Sequence, residues 1–253
     1  KITTREIDQA LIFSAREKIE KEPNYSFAAG QLLLNTLYKE VFKEGVDSDT
    51  FRLQYRKSFI QNIKKLVKED RLDERLLDFD LALLSESLKI RRDKSLKYLG
   101  VQILYDRYFL RLDSKIMEAP QSFFMRVAMG LAINEDNKNE RAIEFYDLIS
   151  QQLYTPSTPT LFNSGTTHSQ LSSCYLNTFD DSIDGIFDGA WQEARKSKYA
   201  GGLGLDVTPF RSTGSHIHGT NGISSGLVPW LKIYNDLLVA VNQGGKRPGA
   251  GCA

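Results

Sequence analysis

The sequence predicts a helical domain that passes, near residue 154, into the opening strands of an α/β sheet or barrel. Three observations predict it. Apolar residues recur at helical spacing from Thr3 to about Asp113, and again from Pro120 to Leu153. After Tyr154, Pro, Thr, Ser and Gly become frequent and the rhythm turns to strand, helix, strand, helix. Each of the two later helices follows a short apolar strand, the alternation that goes with parallel pairing. The strands are too few to close a sheet or a barrel.

The elements follow in order. Thr3-x-x-Glu6 is a capping-box pattern ahead of Ile7, Ala10, Leu11 and Ala15. Ser26 to Lys43 is a second helix, with Leu32, Leu33, Leu37 and Val41 on one face, and Asp49 to Lys68 is a third. Short helical pieces cover Arg75 to Leu77 and Leu81 to Ile90. Leu96 to Leu110 is dense in Tyr, Leu and Ile and is expected to be partly extended. Pro120 opens a helix that runs to Leu131, as proline in a first turn permits, and Lys138 to Leu153 forms one more. Beyond Tyr154, Ser173 to Thr178 and Gly204 to Phe210 read as short buried strands. Ser182 to Ala200 and Gly226 to Val241 read as the helices that follow them.

Bulk properties exclude some roles. A net charge of +1 gives no electrostatic argument for nucleic acid or an anionic membrane as partner. No apolar run approaches the roughly 20 residues of a membrane helix, and no basic-then-apolar leader opens the chain. The two cysteines, Cys174 and Cys252, cannot make a disulfide framework. The cytoplasm is therefore expected, where a disulfide is more often transient and catalytic than structural. The chain starts with Lys and stops in small residues where a strand should begin, so a segment of a longer protein is expected.

Cys174 stands out among the residues that carry chemistry. Two readings stay open: a small buried hydrophobe on a strand, or a reactive thiol behind the hydroxyls of Ser172 and Ser173. Thr158, within Ser-Thr-Pro-Thr, offers a further hydroxyl, or else a plain turn. Two glycine-rich loops, Arg211 to Gly222 and Gln243 to Gly249, can close backbone N–H groups on phosphate, with Arg or Lys supplying charge. Neither is a nucleotide-binding fingerprint. Asp181 also has a helix-capping reading ahead of the Ser182 helix. His216 and His218 form an H-x-H pair, but no nearby Cys or carboxylate has the spacing of a metal site, so no metal is expected. His168 is read as a lone loop histidine.

Seven collinear segments now point to a family. They are Ser157-Thr-Pro-Thr-Leu-Phe-Asn-Ser-Gly165, Gln170-Leu-Ser-Ser-Cys174, Asp181-Ser-Ile-Asp-Gly-Ile, Lys198-x-Ala-Gly-Gly-x-Gly204, Arg211-x-Thr-Gly-Ser-x-Ile-x-Gly-Thr-Asn-Gly222, Gly226-Leu-Val-Pro229 and Gln243-Gly-Gly-Lys-Arg-Pro-Gly249. Together they closely resemble the catalytic (large) subunit of class I ribonucleotide reductase. The helical part adds Asp73-Glu-Arg-Leu-Leu-Asp78, Lys97-Tyr-Leu-Gly100, Tyr105-Asp-Arg-Tyr-Phe109 and Glu118-Ala-Pro-Gln-x-Phe-Phe-Met-Arg126.

The resemblance implies an α/β fold in which a helical domain precedes a ten-stranded barrel, of which this chain holds the first strands. It implies three divisions: residues 1–45 as a remnant of a regulatory ATP-cone, 46–153 as the helical domain, and 154–253 as the barrel opening with two specificity loops. No working overall-activity site for dATP is expected. In the family a cysteine thiyl radical removes the ribose 3′ hydrogen and a redox cysteine pair reduces the 2′ carbon. Cys174 falls on one member of that pair. Thr158, Ser173 and Gly202 fall on substrate-binding positions, and Gln243 and Arg247 on the loop that reports the effector to the substrate base. Asp181, Ser182, Ile183, Lys198, Arg211, Ile217 and Ser224 fall on or near the effector site for a deoxynucleoside triphosphate or ATP.

The implied partners are a complementary C-terminal portion that carries the remaining catalytic residues, a radical-generating metal-containing small subunit, thioredoxin or glutaredoxin, and a second copy docked through helices 182–200 and 226–241. The alternatives are a catalytically silent nucleotide-binding and dimerisation module, or a fragment of the adenosylcobalamin-dependent class. Cys252 matches no catalytic position of the family.

Overall fold

A computed structural model of the protein describes residues 2–42, 50–243, 245 and 248–253. The chain divides into two compact units: Lys1–Pro156 with Leu161–Ser169, and Ser157–Thr160 with Gln170–Ala253.

The first unit is helical. α1 (Thr4–Arg16) starts on the expected capping box: Glu6 N donates to Thr3 Oγ1 at 3.3 Å and Thr3 N donates to Glu6 Oε2 at 2.7 Å. α2 (Tyr25–Phe42) and α3 (Phe51–Lys68) follow; the predicted helix ends at Lys43 and Asp49 lie outside the described residues. A 3₁₀ turn at Glu74–Asp78, α4 (Leu81–Ser87) and a second 3₁₀ turn at Ile90–Ser95 come next.

The stretch expected to be partly extended is mostly helical: α5 (Tyr98–Ile103) runs into a π turn at Leu104–Tyr108. The reason is its burial at Val101, Leu104 and Tyr108, a helical rather than an alternating spacing. Leu96, Lys97 and Phe109 at its ends are extended, and beyond it come β1 (Arg111–Leu112) and β2 (Lys115–Ile116), an antiparallel hairpin the sequence did not announce. Its turn puts Asp113 and Ser114 at φ 48° and 64°, the left-handed pair that two-residue hairpins require.

α6 (Pro120–Ala132), opened by its proline as predicted, is buried along nearly its whole length, and α7 (Lys138–Ser150) completes the helical run. α8 (Thr158–Asn163) forms where a turn was the plain reading.

Two polar clusters organise this unit. Asp93 accepts from Tyr38 Oη (2.6 Å), Tyr55 Oη (3.1 Å) and Gln121 Nε2 (2.8 Å), and Tyr146 Oη donates to Gln121 Oε1 at 2.6 Å. Below it Arg126, wholly buried, pairs with Glu118 at 2.8 Å and donates through Nη1 to Ser164 O at 2.8 Å. A Cβ on Gly130 would lie 2.1 Å from Gly165 N, so the Ser164–Gly165 backbone seats directly on α6. These contacts explain why residues 161–169 pack with the helices, although composition alone groups them with the later segment.

The second unit is α/β. In chain order it holds β3 (Cys174–Thr178), α9 (Ile183–Lys198), β4 (Gly202–Asp206), β5 (His216–Ile217), β6 (Gly222–Ile223), α10 (Val228–Ala240) and β7 (Gly251–Cys252). β3, β4 and β7 form one parallel sheet with β4 in the middle. A core of Phe179, Ile186, Ala190, Leu205 and Tyr234 joins α9 and α10 to one face of this sheet.

Three expectations need correction. The second strand runs from Gly202 to Asp206 rather than from Gly204 to Phe210, because Asp206 Oδ1 accepts from Thr208 N at 3.0 Å and turns the chain there. β3 is not buried on both faces: its residues alternate and Leu176 is 87% exposed, since helices cover only one side. The Arg211–Gly222 segment, read only as a glycine-rich loop, also holds a short hairpin, for β5 and β6 pair antiparallel at its end. Among the described residues no helix is long and apolar enough to cross a membrane.

Candidate active site and effector cavity

Strand alternation decides which side chains of the second unit can meet a ligand. Tyr175 and Asn177 point toward α9: Lys196 Nζ lies 5.5 Å from the Tyr175 ring centroid and donates to Asn177 Oδ1 at 2.6 Å. Cys174, Leu176 and Thr178 therefore point the other way. The Cys174 thiol is exposed, which overturns its reading as a small buried hydrophobe.

Around that thiol the structure gathers three of the predicted positions. Ser173 Oγ lies 3.8 Å from Cys174 Sγ, and Gly202 N donates to Ser173 O at 2.7 Å. A Cβ on Gly202 would stand 3.7 Å from the sulfur, so glycine leaves the space beside the thiol open. Gln243 Nε2 donates to Gly201 O at 3.3 Å, bringing the second glycine-rich loop next to the same strand.

The Thr158 segment is tied in through its neighbours. Thr160 Oγ1 donates to Leu171 O at 3.1 Å, three residues before Cys174, and Ser157 Oγ lies 3.0 Å from Thr160 Oγ1. Thr158 itself is the first residue of α8. Arg247 lies outside the described residues.

A second set converges elsewhere in the unit. Asp181, Ser182, Ile183, Arg211, Ile217 and Ser224 line one cavity of about 150 Å³, together with Ile186, Phe210, Gly226 and Trp230. Arg211 Nε donates to Asp181 Oδ2 at 2.6 Å and its Nη2 to Asp181 O at 3.0 Å, fixing the guanidinium at the rim. The helix-cap reading of Asp181 is displaced by one residue: Ser182 is the N-cap of α9, accepting from Gly185 N at 3.0 Å, which leaves Asp181 to Arg211. The cavity wall thus carries the Asp181–Arg211 ion pair and the positive end of a helix, so an anion that takes the place of the Asp181 carboxylate meets a guanidinium.

Lys198 is not gathered into this cavity. It ends the helix that Ile183 begins, roughly 22 Å away along the axis, and its Nζ lies 5.3 Å from the Tyr199 ring centroid. The residues that sequence reasoning missed are the apolar wall, Phe210 and Trp230 above all. Their signal was present as large aromatics flanking the glycine-rich loop.

The histidine pair has a local partner. His216 Nε2 lies 2.9 Å from Asn221 Oδ1 across the hairpin. Among the described residues no three His, Cys, Asp or Glu side chains cluster as metal ligands.

The family description "Ribonucleotide reductase, all-alpha domain" matches residues 94–169, and "Ribonucleotide reductase, barrel domain" matches residues 172–253. The ribonucleoside-diphosphate reductase subunit alpha of Chlamydia muridarum is 48% identical over 255 residues, covering 99% of this chain and 24% of that protein. The corresponding subunit of Helicobacter pylori is 43% identical and covers 99% of this chain and 31% of its own length. The large chain of Schizosaccharomyces pombe is 39% identical, over 98% of this chain and 30% of its length. The chain belongs to the ribonucleotide reductase family, as a helical domain followed by the start of the barrel domain. It spans about a quarter to a third of the relatives it matches, and the names of those relatives do not favour the adenosylcobalamin-dependent alternative.

Proposed function

We propose that the chain supplies the substrate-facing thiol and the effector site of a ribonucleoside-diphosphate reductase large subunit, acting with a complementary C-terminal portion. Ribonucleotide reduction consumes one dithiol: the 2′ carbon loses its hydroxyl as water while two thiols become a disulfide. Cys174 is one of those thiols. Its partner comes from the complementary portion, the initiating radical from a small metal-containing subunit, and re-reduction from thioredoxin or glutaredoxin in the cytoplasm. Ser173, Thr158 and the bare edge at Gly202 hold ribose and diphosphate, and Gln243 with Arg247 senses the base.

The observation that carries this reading is the exposed thiol beside a hydroxyl and a glycine, on the sheet face turned away from the helices. The test is to mix the chain with its complementary portion and small subunit and to measure CDP reduction. Cys174→Ser should abolish turnover; full activity in that variant refutes the assignment.

The regulatory half of the proposal is that a deoxynucleoside triphosphate or ATP binds at the Asp181–Arg211 cavity. At about 150 Å³ it takes only part of a nucleotide, and a second copy docked through α9 and α10 completes the site. Exposed Ile183, Phe187 and Trp191 on α9 support that docking. A silent binding module remains the second reading, favoured by the fact that this cavity is formed by one unit alone. Binding of dTTP with no gain of activity on adding any partner would select it.

A further inference from the structure

A groove of about 640 Å³ in the helical unit takes no part in the proposed reaction. α2 packs on both α1 and α5 and floors the gap between them. The α1 wall is one stripe, Arg5, Gln9, Ile12, Phe13 and Arg16, at helical spacing. Ile12 and Leu33 are buried at its base, whereas Phe13 and Leu99 stand 55% and 67% exposed on the facing rims. Exposed apolar side chains on both lips of one groove mark a surface that a partner covers.

The charges lining the groove differ in what they already hold. Both carboxylates are acceptors in use: Tyr105 Oη donates to Glu40 at 2.8 Å and Gln102 Nε2 donates to Asp106 at 2.7 Å. The two guanidiniums are not engaged in this way. Glu6 closes the Thr3 cap and Asp8 pairs with Lys39 at 2.7 Å, so α1 offers them no acid. Among the described residues neither Arg5 nor Arg16 forms an ion pair. Arg5 is near enough to Tyr105 across the groove for its charge to act on the phenol, and Arg16 lies 5.8 Å from the Phe13 ring centroid. Along the helix axis the two arginines stand about 16 Å apart, with the apolar stripe between them.

We propose that this groove is a docking site for an acidic amphipathic helix of a partner protein. The helix lies between α1 and α5 and sets one carboxylate against Arg5 and another against Arg16. Residues eleven apart on such a helix share a face and match the spacing of the two arginines, and the apolar residues between them cover Phe13 and Leu99. A small anion answers one guanidinium and leaves both rims bare.

The probe is a fluorescein-labelled helical peptide with two Glu eleven residues apart and Leu at the groove-facing positions between, titrated with the whole chain by fluorescence anisotropy. It should bind, and Arg5→Glu with Arg16→Glu should weaken binding about tenfold or more. Exchanging the peptide's two Glu for Lys should restore binding to that double variant, an outcome that misfolding cannot produce. Leu99→Asp should weaken binding with both arginines in place. All three positions are exposed, so the fold is spared. No binding, binding indifferent to Leu99→Asp, or failure of the charge exchange overturns the proposal. Calorimetric binding of inorganic pyrophosphate that Arg5→Glu abolishes also overturns it, in favour of a small-anion site. Self-association of the chain that is lost in Arg5→Glu overturns it in favour of a second copy as the occupant.

Discussion

Replacing Asp93 by Asn should remove a pH-dependent part of the stability of the helical unit. Asp93 is held in the core by Tyr38, Tyr55 and Gln121, all neutral donors. The neighbouring cation, Arg92, is directed to Asp147 at 2.6 Å. Burial pushes the Asp93 carboxyl up from 3.8 to about 6, against the lowering effect of the three hydrogen bonds. A raised acid binds its proton more tightly when folded, so its contribution is full below the unfolded value and is lost as pH rises through the folded one. Two pH units are worth about 3 kcal/mol in full, of which roughly half falls between pH 5 and pH 7.5. Urea unfolding of both proteins across that range isolates the term, because all other titrations cancel in the difference. The stability of the native protein relative to Asp93→Asn should fall as pH rises. A flat difference, or one that grows with pH, would refute the reasoning.

Arg126→Met should cost about 3–5 kcal/mol in urea unfolding, since it strands the Glu118 carboxylate in the core, and Arg126→Met with Glu118→Leu should recover most of it. Gly189→Ala places a Cβ 2.2 Å from the Phe179 ring, which should lower stability by about 1–3 kcal/mol and separate α9 from the sheet; an unchanged unfolding midpoint would contradict the packing. Arg211→Ala should weaken dTTP binding to the chain by about tenfold or more in calorimetry, by the loss of a charge-assisted contact, and equal affinity would move the effector elsewhere.

Periodicity made the long helices legible, because α1, α3 and α9 each bury one stripe, and α1, α6 and α9 begin at a local start signal: Thr3, Pro120 and Ser182. It failed where burial is set by distant residues. The 96–110 stretch looks extended by composition, yet Val101, Leu104 and Tyr108 pack as a helix. Residues 161–169 look like part of the α/β segment, yet residues thirty to ninety positions earlier draw them to the helices: Arg126, Val127 and Gly130 of α6, Tyr108 stacked on Phe162, and Asp73, whose N–H donates to Gly165 O. The site was legible for a different reason. Ser173 precedes Cys174 in one short motif and Gly202 stands opposite it in the parallel ladder, so one strand pairing is enough to gather them. Lys198 opens another of the motifs but lies at the far end of its helix from the cavity.

The two sites are joined by the shortest route the fold offers. β3 begins at the thiol and ends at Thr178, after which Phe179 enters the core and Asp181 reaches the cavity. β4, its hydrogen-bonded neighbour, begins at Gly202 beside that thiol and leads through Phe210 to Arg211. Five residues of strand span about 16 Å, so thiol and cavity occupy opposite ends of one parallel pair. The Asp181–Arg211 ion pair closes the far end of both strands at once. Any ligand that competes for Arg211 therefore acts on the two strands that carry the face proposed to take substrate, without needing a chain of contacts through the helices. That is the physical reason to expect the occupant of the cavity to matter at the thiol.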